Sequence, residues 1–410
     1  MDQKYNRRDF TKVIGASLGV TGIGALSPAL ANTNQNVNMT YNKNILVSAP
    51  GKLATQTAIV TNNKPQESVV PVHMGVVVDG YYRRSMVADP TIQVLEDTMK
   101  ELDNAEDAVV TCSGMSTITQ TLITLLSSGD TILHHNNLYP EVPTFITNYL
   151  ARFGIKAVST DMRDVETVER LIVEHKPKVI HFEGYTNPYL DVVDIKAIIK
   201  LAENSGCITV VDNTFMSPVF LKPLDLGADL VIHSMSKYIA GHGDVLGGSV
   251  AGKKELIEKM RQTRATMGAN LAPEKAYLIL RGIRTLALRM PVHCQNALGL
   301  AEWLEKHPKV SKVNYPGLKS SVGNEIAKKQ APVFGGLLSF VLKGGTPAVE
   351  AVKANMKLCL DRTSLGEPNT LLRGGALFNQ FFGTEPGFVR VAVGLEGIDD
   401  IIKDIDQALS

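Results

Sequence analysis

The sequence predicts an α/β protein: a large domain on a mainly parallel sheet, followed by a smaller α+β domain. Three observations predict it. Short β-rich runs alternate with helical patterns from about residue 91 to residue 240, the signature of parallel strands linked by helices. Near residue 290 that alternation gives way to a different order of helices and strands. The chain has 410 residues, more than one ordinary hydrophobic core accommodates.

Taken in order, residues 1–31 have the layout of a targeting segment. Arg7 and Arg8 precede an apolar stretch, Val13 to Leu26, diluted by Gly, Ala and Ser, and Ala29-Leu30-Ala31 offers a small-x-small cleavage site. This reads as a twin-arginine signal peptide and a periplasmic mature chain. A membrane anchor fits less well, because a span needs ~20 strongly apolar residues. Residues 32–88, rich at first in Asn, Thr and Val without helical period, read as an N-terminal arm.

The large domain is expected over 89–290. Ile92, Leu95, Met99 and Leu102 share one helical face, so Thr91 to Leu102 is a helix. Ala108-Val109-Val110 is a strand feeding a turn, with a helix from Met115 to Leu126. Further strands are expected at Thr131–Leu133, Lys178–Phe182, Ile208–Val211 and Leu230–Ile232, with helices at Val165–Val173 and Asp194–Glu203. The second domain, 291–410, should hold helices at Ala297–Glu305, Thr346–Met356 and Asp399–Leu409. Its strands are expected at Lys309–Val313, Gly336–Leu342 and Phe388–Val393.

Composition narrows the function classes. With 42 basic and 41 acidic residues, net charge +1, the chain has no electrostatic footprint for nucleic acid. Its cysteines, Cys112, Cys207, Cys294 and Cys359, form no CxxC pair, so no metal site is expected. Cys112 and Cys207 read as buried small hydrophobes; export would permit disulfides without choosing a pairing.

Open α/β sheets bind ligands beyond the carboxyl ends of their strands, and three motifs fall there. Leu230-Val231-Ile232-His233-Ser234-Met235-Ser236-Lys237 ends a strand in two hydroxyls and a lysine, ahead of a Gly-rich turn. An amine held and partly neutralised there can form an imine with an aldehyde cofactor, while the hydroxyls donate to a phosphate. Ile208-Thr209-Val210-Val211-Asp212 is an apolar strand capped by an acid, suited to a protonated pyridine nitrogen or to a helix N-terminus. Thr111-Cys112-Ser113-Gly114-Met115 is a strand-to-helix turn whose N–H groups suit a phosphate.

Together with Asp89-Pro90-Thr91, Asn187-Pro188, Arg281-Gly282, Ser364-Leu365-Gly366, Val389-Arg390 and Gly394-Leu395-Glu396, these motifs follow one order from about Tyr82 onward. The chain thereby resembles the Cys/Met-metabolism family of pyridoxal-phosphate (PLP) enzymes, which includes cystathionine γ-synthases, cystathionine β- and γ-lyases, methionine γ-lyases and homoserine-ester sulfhydrylases. The resemblance implies fold type I, PLP as cofactor, a small amino-acid substrate and a homotetramer. It implies that Lys237 binds the cofactor and shuttles protons, that Asp212 pairs with the ring nitrogen, and that Tyr139 stacks on the ring and assists acid–base steps. Gly114, Met115, Ser234 and Ser236 would hold the phosphate, and Asn187 would lie near the ring oxygen. Ser364 would position Lys237, and Arg390 would grip the substrate carboxylate. Read from its own strand, Arg390 is equally consistent with a solvated face opposite Val389, Val391 and Val393.

The family's tyrosine–arginine motif that reaches a neighbouring subunit's phosphate matches Tyr82 and Arg84, with Tyr81 and Arg83 as the alternative. Pro140-Glu141-Val142 and Arg373-Gly374-Gly375 depart from the family pattern, and Thr363 stands where lyases and synthases for cystathionine tend to carry glutamate. A methionine γ-lyase-like or cystathionine γ-lyase-like carbon–sulfur elimination in sulfur amino acid metabolism is therefore expected, with γ-replacement on a homoserine ester as the alternative. An exported solute-binding protein and a cofactor-free relic of the family are the readings from other classes; the Lys237 and Asp212 strings argue against both.

Overall fold

The computed structural model describes residues 89–410. The twin-arginine segment, the arm, Tyr82 and Arg84, and the alternatives Tyr81 and Arg83 all lie outside the described residues.

Asp89 opens the described chain as an N-cap. Its carboxylate accepts from the N–H groups of Thr91 and Ile92, and Pro90 occupies the first turn of a helix over Pro90–Leu102. Seven strands follow: β1 (Asp107–Thr111), β2 (Thr131–His135), β3 (Lys156–Thr160), β4 (Val179–Glu183), β5 (Ile208–Asp212), β6 (Leu230–Ser234) and β7 (Gly248–Gly252). They form one sheet in the order β1-β7-β6-β5-β4-β2-β3. β2, β3, β4, β5 and β6 pair in parallel, and only β7 runs against its neighbours β1 and β6.

The strands at the centre of the sheet are buried on both faces, whereas β3 is an exposed edge. Val110, Leu133, Phe182, Val211 and Val231 pack with the helices Pro90–Leu102, Ile195–Ser205 and Pro273–Ile283. Their strand neighbours Val109, Ile132, Val179, Val210 and Ile232 pack with the helices Gly114–Leu125, Glu141–Asn148 and Lys254–Met267. Each fully buried aliphatic side chain contributes about 1.5–3 kcal/mol, so the alternation holds the strand ends in register.

A second sheet contains β8 (Val310–Asn314), β9 (Leu337–Leu342), β10 (Leu360–Asp361), β11 (Leu371–Gly374) and β12 (Phe388–Ala392), in the order β10-β11-β12-β9-β8. It buries its own core against the helices Leu286–Glu305, Gly345–Asn355 and Ile398–Leu409. The first of these begins at Leu286, not at Ala297, and runs through Pro291. Proline reads as a breaker at a cost of about 3 kcal/mol, but Leu286, Met290, Pro291, Cys294 and Ala297 are all buried here, and their packing outweighs it. The boundary drawn at 290/291 thus falls inside a continuous helix. That helix also serves the site: the Arg289 guanidinium donates to the carbonyls of Tyr238 at 2.8 Å and Gly282 at 2.9 Å, fixing the turn after Lys237. Gly241, at φ +73°, lies against that guanidinium, and a Cβ there would come within 2.0 Å of it.

All four cysteines are free thiols. Cys207, Cys294 and Cys359 are buried, whereas Cys112 is half-buried beyond the end of β1, its Sγ 3.4 Å from Ser116 Oγ. Its surroundings are a polar turn, not the strand interior its neighbours suggest. No helix among the described residues is long and apolar enough to cross a membrane.

Candidate active site

A cavity of ≈ 1010 Å³ opens at the carboxyl ends of the parallel strands and is closed on its other side by the second sheet. Gly114, Met115, Tyr139, Asn187, Asp212, Ser234, Ser236, Lys237, Ser364 and Arg390 all line it, from residue 114 to residue 390 of the chain.

The strand-to-helix turn after β1 carries a capping box: Ser113 Oγ accepts from Ser116 N–H, and Ser116 Oγ accepts from Ser113 N–H. Those bonds leave the N–H groups of Gly114 and Met115 at the positive end of the helix. Gly114 has to be glycine, because a Cβ there would lie 2.7 Å from the Cβ of Ser234. The turn and the end of β6 are therefore packed into one cradle. Thr214 joins it, its Oγ1 accepting from Ser234 N–H at 2.7 Å. The two serines differ: Ser236 Oγ bonds both the N–H and the carbonyl of Gly247, which commits its proton within the chain, whereas no protein partner holds Ser234 Oγ among the described residues.

Asp212 ends β5, and one of its oxygens accepts from Thr214 N–H at 2.9 Å. Glu183 ends the adjacent β4, directly opposite Asp212 in register. Burial and the Asp212 carboxylate push the Glu183 carboxyl up to about 8. Its Oε1 accepts from Tyr139 N–H at 2.6 Å, tying the Tyr139 loop to the strand end. The Tyr139 ring is 41% exposed to the cavity, and burial together with the Glu141 carboxylate raises its phenol. Below the strand ends, Tyr185 and Phe215 stack at 5.5 Å as another apolar wall.

Lys237 projects from the turn after β6, and its Nζ lies 3.3 Å from Ser364 Oγ. Burial, reinforced by the Arg390 charge, lowers its pKa below the ordinary 10.5. Ser364 holds a left-handed backbone, φ 133°, and its carbonyl accepts from Arg390 Nη2 at 2.7 Å. A second Arg390 nitrogen reaches Asn187 Oδ1 at 3.4 Å, and its Nε faces no protein acceptor. Arg390 is buried, so the alternative of a solvated face does not hold; both faces of β12 are covered. Loss of water, with Arg373 nearby, brings its guanidinium down to about 10.

This donor set fits PLP. A glycine cradle with helix N–H groups and a spare hydroxyl suits its phosphate, Asp212 its ring nitrogen, Lys237 its aldehyde, and the orphaned Arg390 Nε an amino-acid carboxylate. Sequence reasoning missed Glu183, although the strand Val179–Glu183 ends in an acid just as Ile208–Asp212 does. It also left unassigned Glu141, Arg373 and the uncharged helix Ala376–Phe382, which line the outer cavity. Leu377, 76% exposed, and Phe381, 58% exposed, stand on that helix.

Comparison with known proteins agrees with this geometry. The family model of Cys/Met metabolism PLP-dependent enzymes matches residues 73–410. The chain is 41% identical to an L-methionine gamma-lyase from Fusobacterium nucleatum subsp. polymorphum over 340 residues, 80% of this chain and 86% of the relative. It is 37% identical to a cystathionine gamma-lyase from Bacillus subtilis, covering 80% and 88%. The crystal structure of a cystathionine gamma synthase from Xanthomonas oryzae pv. oryzae superposes with TM-score 0.81 at 31% identity, covering 87% and 97%. The motifs, the cradle, the lysine and the architecture all converge: the chain belongs to the Cys/Met-metabolism family of PLP-dependent enzymes and has fold type I.

Proposed function

We propose that this enzyme is a carbon–sulfur lyase, expelling a thiol from a sulfur amino acid and leaving a 2-oxo acid and ammonia. The observation that carries the reading is the placement of Lys237. Its depressed amine lies one hydroxyl away from the loop that holds Arg390, in a cavity whose outer wall includes Leu246, Leu377 and Phe381. When bound, PLP supplies an electron sink for negative charge at the substrate Cα. Arg390 holds the α-carboxylate through charge-assisted bonds and so fixes which bonds at Cα face Lys237. Lys237 would remove the Cα proton, with Ser364 Oγ orienting its Nζ. Asp212, at the end of β5, would pair with the ring nitrogen. Leu246, Leu377 and Phe381 offer apolar surface to the leaving thiol, and Thr363 offers a distal ammonium no charge. For methionine the balance is methionine plus water to methanethiol, 2-oxobutanoate and ammonia.

The test is to supply methionine, cystathionine, homocysteine and cysteine, then O-acetyl- or O-succinylhomoserine with a thiol. Release of 2-oxobutanoate from methionine is the expected result. Efficient thioether formation with no 2-oxo acid from any thioether or thiol substrate would make the enzyme a γ-replacement catalyst, as the likeness to a cystathionine gamma synthase allows.

We further propose export by the twin-arginine route, a homotetramer, and an active site completed by Tyr82 and Arg84 of a neighbouring subunit. Export supports the lyase reading, because homoserine esters are cytoplasmic biosynthetic intermediates. Replacing Arg7 and Arg8 by lysine should retain the protein in the cytoplasm; unchanged periplasmic fractionation of that variant would refute the route.

A further inference from the structure

Arg373 lies on β11 directly opposite Arg390 on β12. In an antiparallel pair, opposite residues point to the same face with Cβ atoms about 4.5–5.5 Å apart. Two guanidiniums so placed repel unless each meets an anion. Arg390 has its own task at the α-carboxylate. Arg373 also lines the cavity and is 30% exposed. One of its nitrogens, Nη1, donates to Asp361 Oδ1 at 2.7 Å, and no other bond holds it among the described residues. Asp361 is itself shared, its other oxygen lying 3.3 Å from Lys353 Nζ. A guanidinium has five N–H donors, so this single anchor orients the fork and leaves most of it to the cavity.

The position of Arg373 relative to the reacting atoms follows from the sheet. Lys237 touches Ser364, and Ser364 holds Arg390. Arg373 is one strand further along, toward the β10 edge. Its charge acts on Arg390, whereas the charges acting on Lys237 are those of Arg390, Glu367 and Glu141. Thr363 and the helix Ala376–Phe382, which also line the cavity, contribute no charge. A substrate anchored by its α-carboxylate on Arg390 therefore shares its cavity with apolar side chains and with a second, partly free guanidinium one strand away.

We propose that Arg373 is a specificity-determining residue that reads a carboxylate at the distal end of the leaving group. The preferred substrates are then thioethers of homocysteine whose expelled thiol carries a terminal acid. This rests on the lyase reading for the bond that breaks, and it adds the chemistry of the group that leaves.

The experiment uses ligands with no leaving group, so binding is measured whether or not elimination occurs. Norleucine is a methionine isostere, and 2-aminopimelate is the same chain extended by a carboxylate. Calorimetric titration of the holoenzyme should show 2-aminopimelate binding more tightly than norleucine by about tenfold or more, the effect of hydrogen bonds to a charged group. In Arg373→Gln that ratio should collapse to about 1. In the unaltered enzyme the ratio should also shrink as sodium chloride is raised, because a partly exposed charge pair is screened; this arm stands even where the variant fails to fold. Equal binding of the two ligands, a preference unchanged in Arg373→Gln, or a ratio indifferent to salt would each overturn the assignment. Lysine, with a distal ammonium, serves as the third ligand, and tighter binding of lysine than of 2-aminopimelate would assign the outer cavity to Glu141 instead. Failure of the lyase reading shows separately, as absence of 2-oxo acid from methionine while the 2-aminopimelate preference persists.

Discussion

Replacing Lys237 by alanine is expected to lower kcat by at least about 10³-fold, while the protein still folds and still takes up PLP weakly. Loss of a positioned acid–base group alone accounts for about 10²–10⁴, and Lys237 also supplies the only lysine nitrogen lining the cavity among the described residues. The cradle built by Gly114, Ser234 and Thr214 does not depend on the lysine, so phosphate binding should survive. Lys237 also sets a pH dependence in the unaltered chain. A lowered amine pKa means that more of the nucleophilic, uncharged form is present at a given pH. The rate at which apoenzyme captures PLP should therefore rise with pH and reach half its maximum below 10.5, the value for an unperturbed lysine. Stopped-flow absorbance across a pH series reads this directly. A midpoint at or above that value would mean that burial does not neutralise the amine.

The second large effect is expected at Arg390. Changing it to leucine should reduce kcat/KM for methionine by ~30-fold to several thousand-fold, the equivalent of about 2–5 kcal/mol for one partner of a buried charge pair. Arg390→Lys should recover little of this. A lysine point charge cannot hold the Ser364 carbonyl at 2.7 Å, reach Asn187 and still present a fork to a carboxylate. The two effects separate by readout: Arg390 variants should retain cofactor absorbance and lose saturation by substrate, whereas Lys237 variants should alter the absorbance itself. An Arg390→Leu enzyme with near-normal kcat/KM would remove the carboxylate from that position.

The large domain was legible because parallel strands buried on both faces are near-continuous apolar runs, and their ends are marked by the first polar residue. Asp212 follows Val210-Val211 directly, and Ser234 closes the run Leu230-Val231-Ile232-His233; Glu183 closes β4 in the same way but went unread for want of a neighbouring motif. The helix Leu286–Glu305 was half-legible: only Ala297–Glu305 reads as helical from spacing, and tertiary packing of Met290 and Cys294 carries the helix through Pro291. Arg390 was ambiguous from its strand alone, since alternation with valines fits a solvated face as well as a cavity face. The second cover over β12, from Phe378 and Phe382 against Phe388, comes from residues distant enough that no local pattern reveals it. The outer cavity was least legible. Glu141, Arg373 and the helix Ala376–Phe382 meet only through the approach of two sheets, and no spacing in the chain encodes that meeting.

Lys237 is expected to be the residue through which this enzyme holds its cofactor. Borohydride reduction of the holoenzyme, followed by proteolysis and mass spectrometric mapping, tests it most directly. The account predicts one pyridoxyl group per chain, on the peptide containing Ser234-Met235-Ser236-Lys237-Tyr238 and located on Lys237. A pyridoxyl group on any other lysine, with Lys237 unmodified, would contradict it.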